Sequence, residues 1–186
     1  MNTSESNTLF QQVNEARDAY YEENGKNKWF KSSQKNDLAN HVCNNFDLTR
    51  MIQCTAYAIP NTNKLYFSYP LFKTYGSPEN CCAMSDYIKD TLIPMLLNSN
   101  TNFEMHVNLK GFTVSACQRF FTAIRWLFEE NTELTNRMTR LYIYHTPNVI
   151  DQIRKLLYVF IKDILERITH YYKDDSDAQI ALLHDF

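Results

Sequence analysis

Five histidines are the side chains best suited to acid–base or metal chemistry near neutral pH. They are far apart, and no two have the spacing of four residues at which a helix presents a pair of metal ligands. His106, His145 and His170 each fall in a predicted strand, so adjacent strands could bring them into one cluster. An enzyme would draw on His106, His145 and Ser115. Scattered histidines more often form local hydrogen bonds, and we predict neither a catalytic residue nor a metal site.

The sequence lacks the motifs of common nucleotide and hydrolase sites. Its three glycines are Gly25, Gly76 and Gly111, which cannot form a dinucleotide fingerprint or a phosphate-binding loop. It has no Gly-x-Ser-x-Gly segment, the nucleophile turn of many α/β hydrolases. The five cysteines are odd in number and include no Cys-x-x-Cys pair, so neither a disulfide framework nor a zinc site is indicated. These features favour a protein that binds a ligand or a partner without catalysing a reaction.

Composition and charge are typical of one folded domain. The chain has 186 residues, of which 44% are hydrophobic, so it can bury a sizeable core. Nineteen basic and 21 acidic residues give a formal charge of −2, which provides no positive field for nucleic acid. No run of about 18 apolar residues is present, and the polar start MNTSESN does not resemble a signal peptide. We therefore expect a cytoplasmic protein with no nucleic-acid partner.

Local patterns in the first half predict helices and one hairpin. The predicted elements are a helix over 6–23, a linker over 25–36, a helix over 36–44, strands over Met51–Ile59 and Leu65–Tyr69, a helix over 83–97 and a loop over 98–102. Pro94 is expected to kink or shorten the end of its helix. We divide the chain into an N-terminal helix and linker, 1–35, and a main domain, 36–186.

Strands and helices alternate in the second half. The predicted elements are a strand over Phe103–Leu109, a helix over 114–129, a strand over Leu141–His145, a helix from Asn148 onward and a strand over Glu166–Tyr172. Such alternation requires crossover connections, so we predict an α/β fold with a mixed, largely parallel sheet and flanking helices. The acidic residues Asp174, Asp175 and Asp177 are predicted to form a solvated turn.

The segment after Pro147 has an unusually wide apolar surface. Its apolar residues are Val149, Ile150, Ile153, Leu156, Leu157, Phe160 and Ile161. A surface of this width must lie against protein, a ligand or a membrane, because large exposed apolar patches are uncommon on monomers. The periodicity alone is equally compatible with a helix buried in the core.

Three segments of the second half resemble the CRAL-TRIO family of lipid-binding domains. Asn136–Pro147 is similar to the family's basic, methionine-containing lead-in, aromatic-aliphatic strand and proline. Val107–Thr113 resembles its strand ending in Asp-x-x-Gly and a hydroxyl residue, with Asn108 in place of the aspartate. Leu157–His170 resembles its downstream passage. The resemblance covers about residues 103–172 and is closest to the divergent branch found in RhoGAP-associated, BCH-type and neurofibromin proteins.

The resemblance implies that the sheet floors an apolar cavity, which a gate helix over residues 148–161 closes. Phosphoinositide-binding members contact the head group through an acidic residue before the lead-in and a basic residue downstream, and these positions hold Asn136 and Arg167 here. The expected ligand-binding residues are Met105, Val107, Tyr142, Tyr144, Val149, Ile150, Ile153, Leu157, Phe160, Ile161 and Arg167.

The expected function is therefore lipid binding or lipid transfer. The ligand would be a phospholipid, a fatty-acid-like molecule or another hydrophobic small molecule, and no further cofactor is expected. A membrane surface would be a transient partner of a peripheral protein. The alternative is a protein-interaction module, since the divergent branch is also associated with small GTPase regulation, and its partner would be a small GTPase or another signalling protein.

Overall fold

A computed structural model describes residues 3–27, 29–98 and 102–184, and its centre is a five-stranded sheet in the order β1-β2-β3-β4-β5. The strands are β1 (Ala56–Ala58), β2 (Lys64–Ser68), β3 (Phe103–Asn108), β4 (Met138–Tyr144) and β5 (Ile168–His170). The first two strands form an antiparallel hairpin, and the other neighbours are parallel. Helical segments connect the parallel strands, as this topology requires. The predicted mixed, largely parallel sheet is confirmed.

Eleven α-helices flank the sheet within the described ranges. They are α1 (Thr3–Asn24), α2 (Lys31–Asn45), α3 (Leu48–Thr55), α4 (Tyr69–Tyr75), α5 (Pro78–Tyr87), α6 (Ile93–Asn98), α7 (Val114–Arg119), α8 (Phe121–Arg125), α9 (Thr132–Arg137), α10 (Ile150–Ile161) and α11 (Lys173–His184). Two π-helical turns, Ile88–Leu92 and Trp126–Glu130, and a 3-10 helix, Lys162–Arg167, adjoin them. None of the helices in these ranges is long and apolar enough to cross a membrane.

The two faces of the sheet differ in chemistry because side chains alternate along each strand and the register aligns them across strands. The inner face comprises Ala56, Leu65, Phe67, Met105, Val107, Leu141 and Ile143. The tyrosine face comprises Tyr57, Tyr66, His106, Tyr142 and Tyr144. The inner face packs into the main hydrophobic core, whereas the tyrosine face packs against Ile180 and Leu183 of α11.

The N-terminal part belongs to the same packed unit as the rest of the chain. Leu9 and Val13 of α1 are buried in the main core. The predicted linker over 25–36 is too long, because α2 already begins at Lys31. The side chain of Gln34 accepts a hydrogen bond from the backbone N–H of Asn27 and so holds the shorter connection. A boundary at residue 35 therefore falls inside a helix.

The predicted strand over Met51–Ile59 is wrong in its first half, which forms α3. The Asp47 side chain caps this helix by accepting a hydrogen bond of 2.6 Å from the backbone N–H of Arg50. Met51, Ile52 and Thr55 are buried, a spacing that suits one face of a helix as well as a run of core residues. The β-branched and apolar composition alone could not separate the two structures.

The helix predicted over 83–97 begins earlier and is distorted rather than ended by its proline. The side chain of Ser77 caps α5 by accepting a hydrogen bond from the backbone N–H of Asn80. The π-helical turn Ile88–Leu92 lies just before Pro94, which has no N–H to donate to the preceding turn. Part of the predicted 98–102 loop lies outside the described residues.

The helix predicted over 114–129 is interrupted at Phe120, so that it forms α7, α8 and a π-helical turn. The solvated turn predicted at Asp174 and Asp175 is also wrong, because both residues lie in the first turn of α11. Acidic residues are favourable there, since the N-terminal end of a helix carries partial positive charge. This helix ends with His184, and a basic residue is favourable there because the C-terminal end of a helix carries partial negative charge.

Candidate functional site

An apolar cavity of about 200 Å³ lies between the inner face of the sheet and α10. Strand residues form its floor, α10 forms one wall, and residues of α5, α8 and the following π-helical turn close the remaining sides. The apolar lining includes Leu65, Phe67, Met84, Ile88, Met105, Val107, Phe120, Ala123, Ile124, Trp126, Leu127, Phe128, Leu141, Ile143, Ile150, Ile153, Leu157, Ile161 and Ile168. The cavity is therefore suited to a hydrocarbon ligand.

The α10 wall follows from the helical periodicity of its sequence. Ile150, Ile153, Leu157 and Ile161 recur at intervals of three and four residues and point their side chains into the cavity. Ile153, Leu157 and Ile161 are buried in the main core. This part of the wide apolar segment after Pro147 is thus ordinary amphipathic patterning.

The outer side of α10 carries exposed apolar residues beside polar ones such as Gln152 and Lys155. Leu156, Tyr158 and Val159 expose 40%, 56% and 69% of their surface. Arg154 forms an ion pair with Asp151, which also belongs to α10. Within the described chain, no side chain of α10 makes a hydrogen bond to another element. Apolar packing alone therefore holds the α10 side chains against the sheet.

Six of the residues predicted to bind ligand line the cavity together. They are Met105, Val107, Ile150, Ile153, Leu157 and Ile161. Val149 and Phe160 are partly buried against the same core but do not line the cavity. The Phe160 ring instead packs edge-on against Phe121, with 5.4 Å between the ring centroids.

Tyr142 and Tyr144 lie outside the cavity, contrary to their predicted position. The register pairs Tyr142 with His106, so both tyrosines belong to the tyrosine face, on the other side of the sheet. Neighbouring residues of a strand point to opposite faces, so Leu141 and Ile143 occupy the inner positions.

Arg167 is likewise separate from the cavity. Its Nη1 donates hydrogen bonds to the backbone carbonyls of Thr135 and Met138, at 3.0 and 2.9 Å. These bonds join the end of the 3-10 helix to the start of β4. The predicted head-group residue therefore has a structural role in this fold.

The three strand histidines do not form a cluster. His106 lies on the tyrosine face, whereas His170 lines the cavity on the opposite side. His145 follows β4 with a φ of 49°, and its Nε2 lies 3.0 Å from Asp177 Oδ1. Ser115 is exposed on α7. In the described part of the chain, no group of three histidine, cysteine or acidic side chains is placed to hold a metal ion.

The prediction missed cavity residues from the first half and from α8. Phe67 and Leu65 come from the predicted second strand of the hairpin, and their alternation with Tyr66 contained the signal. Ile124 and Phe128 belong to the helical stripe that was expected to dock on the sheet, and both line the cavity. Tyr69 also lines this apolar region, and burial raises the pKa of Tyr69 to about 12.

Two of the polar residues in the lining are Arg154 on α10 and His170 on β5. Burial and the positive charge of Arg154 lower the pKa of His170. The imidazole is therefore neutral at neutral pH. In comparisons with known proteins, no family model, no curated protein and no solved structure matches this chain.

Proposed function

We propose that this protein binds a lipid-like ligand in the cavity between the inner face of the sheet and α10. The observation that carries the proposal is the lining itself, which is almost wholly aliphatic and aromatic over about 200 Å³. Transfer of hydrocarbon from water into such a space is favourable by about 0.8 kcal/mol per methylene group. Binding of this kind needs no catalytic group.

The size of the cavity favours one hydrocarbon chain. A water molecule needs about 10–15 Å³ of such space, so the cavity holds on the order of 15 groups of that size. A methylene group is similar to a water molecule in volume. A single acyl chain therefore fits the cavity better than a phospholipid with two chains.

We also propose that α10 is the gate through which the ligand enters. Apolar contacts between its side chains and the sheet can be exchanged for contacts with a ligand without leaving a buried polar group unpaired. The exposed side chains of Leu156, Tyr158 and Val159 give the same helix an apolar outer side for transient contact with a membrane surface. The sequence resemblance over residues 103–172 is consistent with this arrangement.

Native mass spectrometry of the purified protein, before and after incubation with phosphatidylcholine vesicles that contain palmitate, tests the proposal. Wild-type protein should show a mass increase that matches one small hydrophobic ligand. Ala123 lines the cavity, so the larger side chain of Ala123→Phe would occupy part of the space for the ligand. This variant should reduce the bound fraction at least several-fold.

The matched control is Ala181→Phe, which adds the same ring at an exposed position of α11. It should bind as the wild type does. Absence of ligand from the wild type in both preparations, with a folded protein by circular dichroism, would contradict the proposal.

A further inference from the structure

Arg154 is the one charged residue among the cavity-lining residues that the structure describes. Arg154 belongs to α10 and lines the cavity, and its side chain is 45% exposed, so it lies at the solvent-facing rim. Burial and the charge of Arg154 lower the pKa of His170 on β5, so its imidazole is neutral at neutral pH. The cavity thus combines an apolar interior with a single positively charged residue at its edge.

The guanidinium of Arg154 is available to a ligand. Its Nη1 lies 3.7 Å from Oδ1 of Asp151, which is beyond hydrogen-bond distance, and both side chains are exposed. Exposed ion pairs of this kind contribute little free energy. In the described chain, the guanidinium makes no hydrogen bond.

Two other arginines near the core, unlike Arg154, make hydrogen bonds within the protein. Arg167 donates to two backbone carbonyls, and Arg119 donates to the carbonyl of Gly76 and to Oδ1 of Asn36, at 2.8 and 2.7 Å. Both arginines therefore already have strong partners in the protein. Among the described residues, Arg154 has only the 3.7 Å ion pair with Asp151, so its donors can form hydrogen bonds with an incoming acceptor.

We propose that Arg154 binds the oxyanion head group of a single-chain amphiphile whose hydrocarbon chain fills the cavity, an inference that rests on the proposed function. A carboxylate cannot enter the apolar interior unpaired, because burial of an isolated charge is strongly unfavourable. The chain therefore enters first, and the head group stays at the rim, where the planar guanidinium can donate two parallel hydrogen bonds to it.

The local charges favour a monoanion. One arginine supplies one positive charge, and the carboxylate of Asp151 lies close enough to repel a second negative charge on the ligand. A fatty-acid carboxylate suits these charges better than the dianion of a phosphate monoester such as dodecyl phosphate.

Three ligands with one chain and different head groups test the inference: dodecanoate, dodecyl phosphate and 1-dodecanol. All proteins carry Trp29→Phe, which leaves the lining residue Trp126 as the single tryptophan and therefore the fluorescence reporter. Each ligand is titrated into delipidated protein at pH 7.5. The parent should bind dodecanoate about tenfold more tightly than the uncharged alcohol, with dodecyl phosphate between them.

Arg154→Met should reduce dodecanoate affinity about tenfold and leave dodecanol affinity unchanged. Lys155→Met is the matched control, because it removes the same charge from the neighbouring exposed position of α10. It should change dodecanoate affinity by less than about twofold, since exposed charges that make no direct contact are screened.

Three outcomes would overturn the inference in distinguishable ways. Equal affinity for dodecanoate and dodecanol, unchanged by Arg154→Met, would leave the cavity function intact and remove the head-group role. An equal loss in Arg154→Met and Lys155→Met would assign the effect to general electrostatic attraction. Failure of all three ligands to bind the parent protein would contradict the proposed function itself.

Discussion

His106 illustrates how the tertiary structure can assign a reactive residue type to a structural role. It is 4% exposed, and its Nδ1 lies 2.7 Å from the hydroxyl of Tyr144. The imidazole stacks on Tyr142, with 4.7 Å between ring centroids. Its Nε2 has no hydrogen-bond partner among the described residues and lies 3.5 Å from Oε2 of Glu104.

Burial, followed by the charges of Lys64 and His184, lowers the pKa of His106 to about 4. An unfolded chain would titrate this histidine near pH 6.5. The unfolded state therefore takes up the proton first as the pH falls, and the folded state loses stability between about pH 6.5 and pH 4. Above pH 6.5 the neutral form predominates in both states, so this effect vanishes.

We predict that His106→Gln reduces the acid sensitivity of the fold. The wild type should lose up to about 3 kcal/mol of unfolding free energy between pH 7 and pH 4 through this residue. Urea denaturation at several pH values measures the loss, and the variant should show a clearly smaller one. Leu182→Ala, at an exposed position of α11 without a titratable group, should leave the pH dependence of the unfolding free energy unchanged. The same pH dependence of the unfolding free energy in the wild type and in His106→Gln would contradict the prediction.

At the scale of elements, α10 and α11 cover opposite faces of the sheet with different chemistry. Helix α10 contributes apolar side chains around a cavity, whereas α11 is joined to the sheet by both polar and apolar contacts. The buried Ser176 hydroxyl accepts a hydrogen bond of 2.8 Å from the backbone N–H of His145. Near the other end of the helix, His184 Nε2 lies 2.6 Å from the hydroxyl of Tyr57. These contacts suit a fixed helix, while the contacts of α10 suit one that moves.

The adjacent leucines of α11 provide a matched test of its docking. Leu183 is 5% exposed against the tyrosine face, whereas Leu182 is 60% exposed. We predict that Leu183→Ala lowers the unfolding free energy by about 2–3 kcal/mol, because it removes buried methyl groups from a small cluster. Leu182→Ala should change it by less than about 0.5 kcal/mol. Guanidinium denaturation gives both values, and equal effects would show that α11 does not dock as described.

On the scale of the whole molecule, one sheet separates the cavity from the α11 cluster. The inner face borders the cavity, and the tyrosine face supports α11. Because the faces are on opposite sides, a change in the α11 cluster should leave the cavity intact. Ligand binding and the stability of α11 are therefore expected to be independent.

Ligand binding should raise the thermal stability of the protein. A ligand present at 100 times its dissociation constant stabilises the folded state by about 2.7 kcal/mol, which for a chain of this length corresponds to a shift of about 5–10 °C. We predict this shift for wild-type protein with dodecanoate in differential scanning fluorimetry. Leu183→Ala should start from a lower melting temperature and show a similar shift.

Ala123→Phe should show a clearly smaller shift, because the added ring occupies part of the cavity. A similar increase in melting temperature for Ala123→Phe and the wild type would indicate that dodecanoate stabilises the protein from another site. A shift that disappears in Leu183→Ala would contradict the independence of the two faces.

The sequence predicted most of the sheet but fewer of the helices. Strong alternation identified β3, and the regular order of elements indicated parallel neighbours. The helices α4, α9 and α11 were not predicted, since their short or polar sequences contain no clear periodicity. Helix α3 was assigned to a strand because the closely spaced buried residues Met51, Ile52 and Thr55 satisfy either structure. Local pattern is insufficient in so short a segment.

The sequence by itself determined that Met105 and Val107 share one side of their strand and that Ile153 and Leu157 share one side of a helix, because backbone geometry sets these periods of 2 and 3.6 residues. Only the tertiary structure decided which faces meet. The register between β3 and β4 aligns Tyr142 with His106 and so places the tyrosines away from the cavity. The packing of α10 likewise brings Arg154 to the rim, while Arg167 is held by backbone carbonyls. Both outcomes depend on contacts between segments distant in the chain, which local periodicity does not specify.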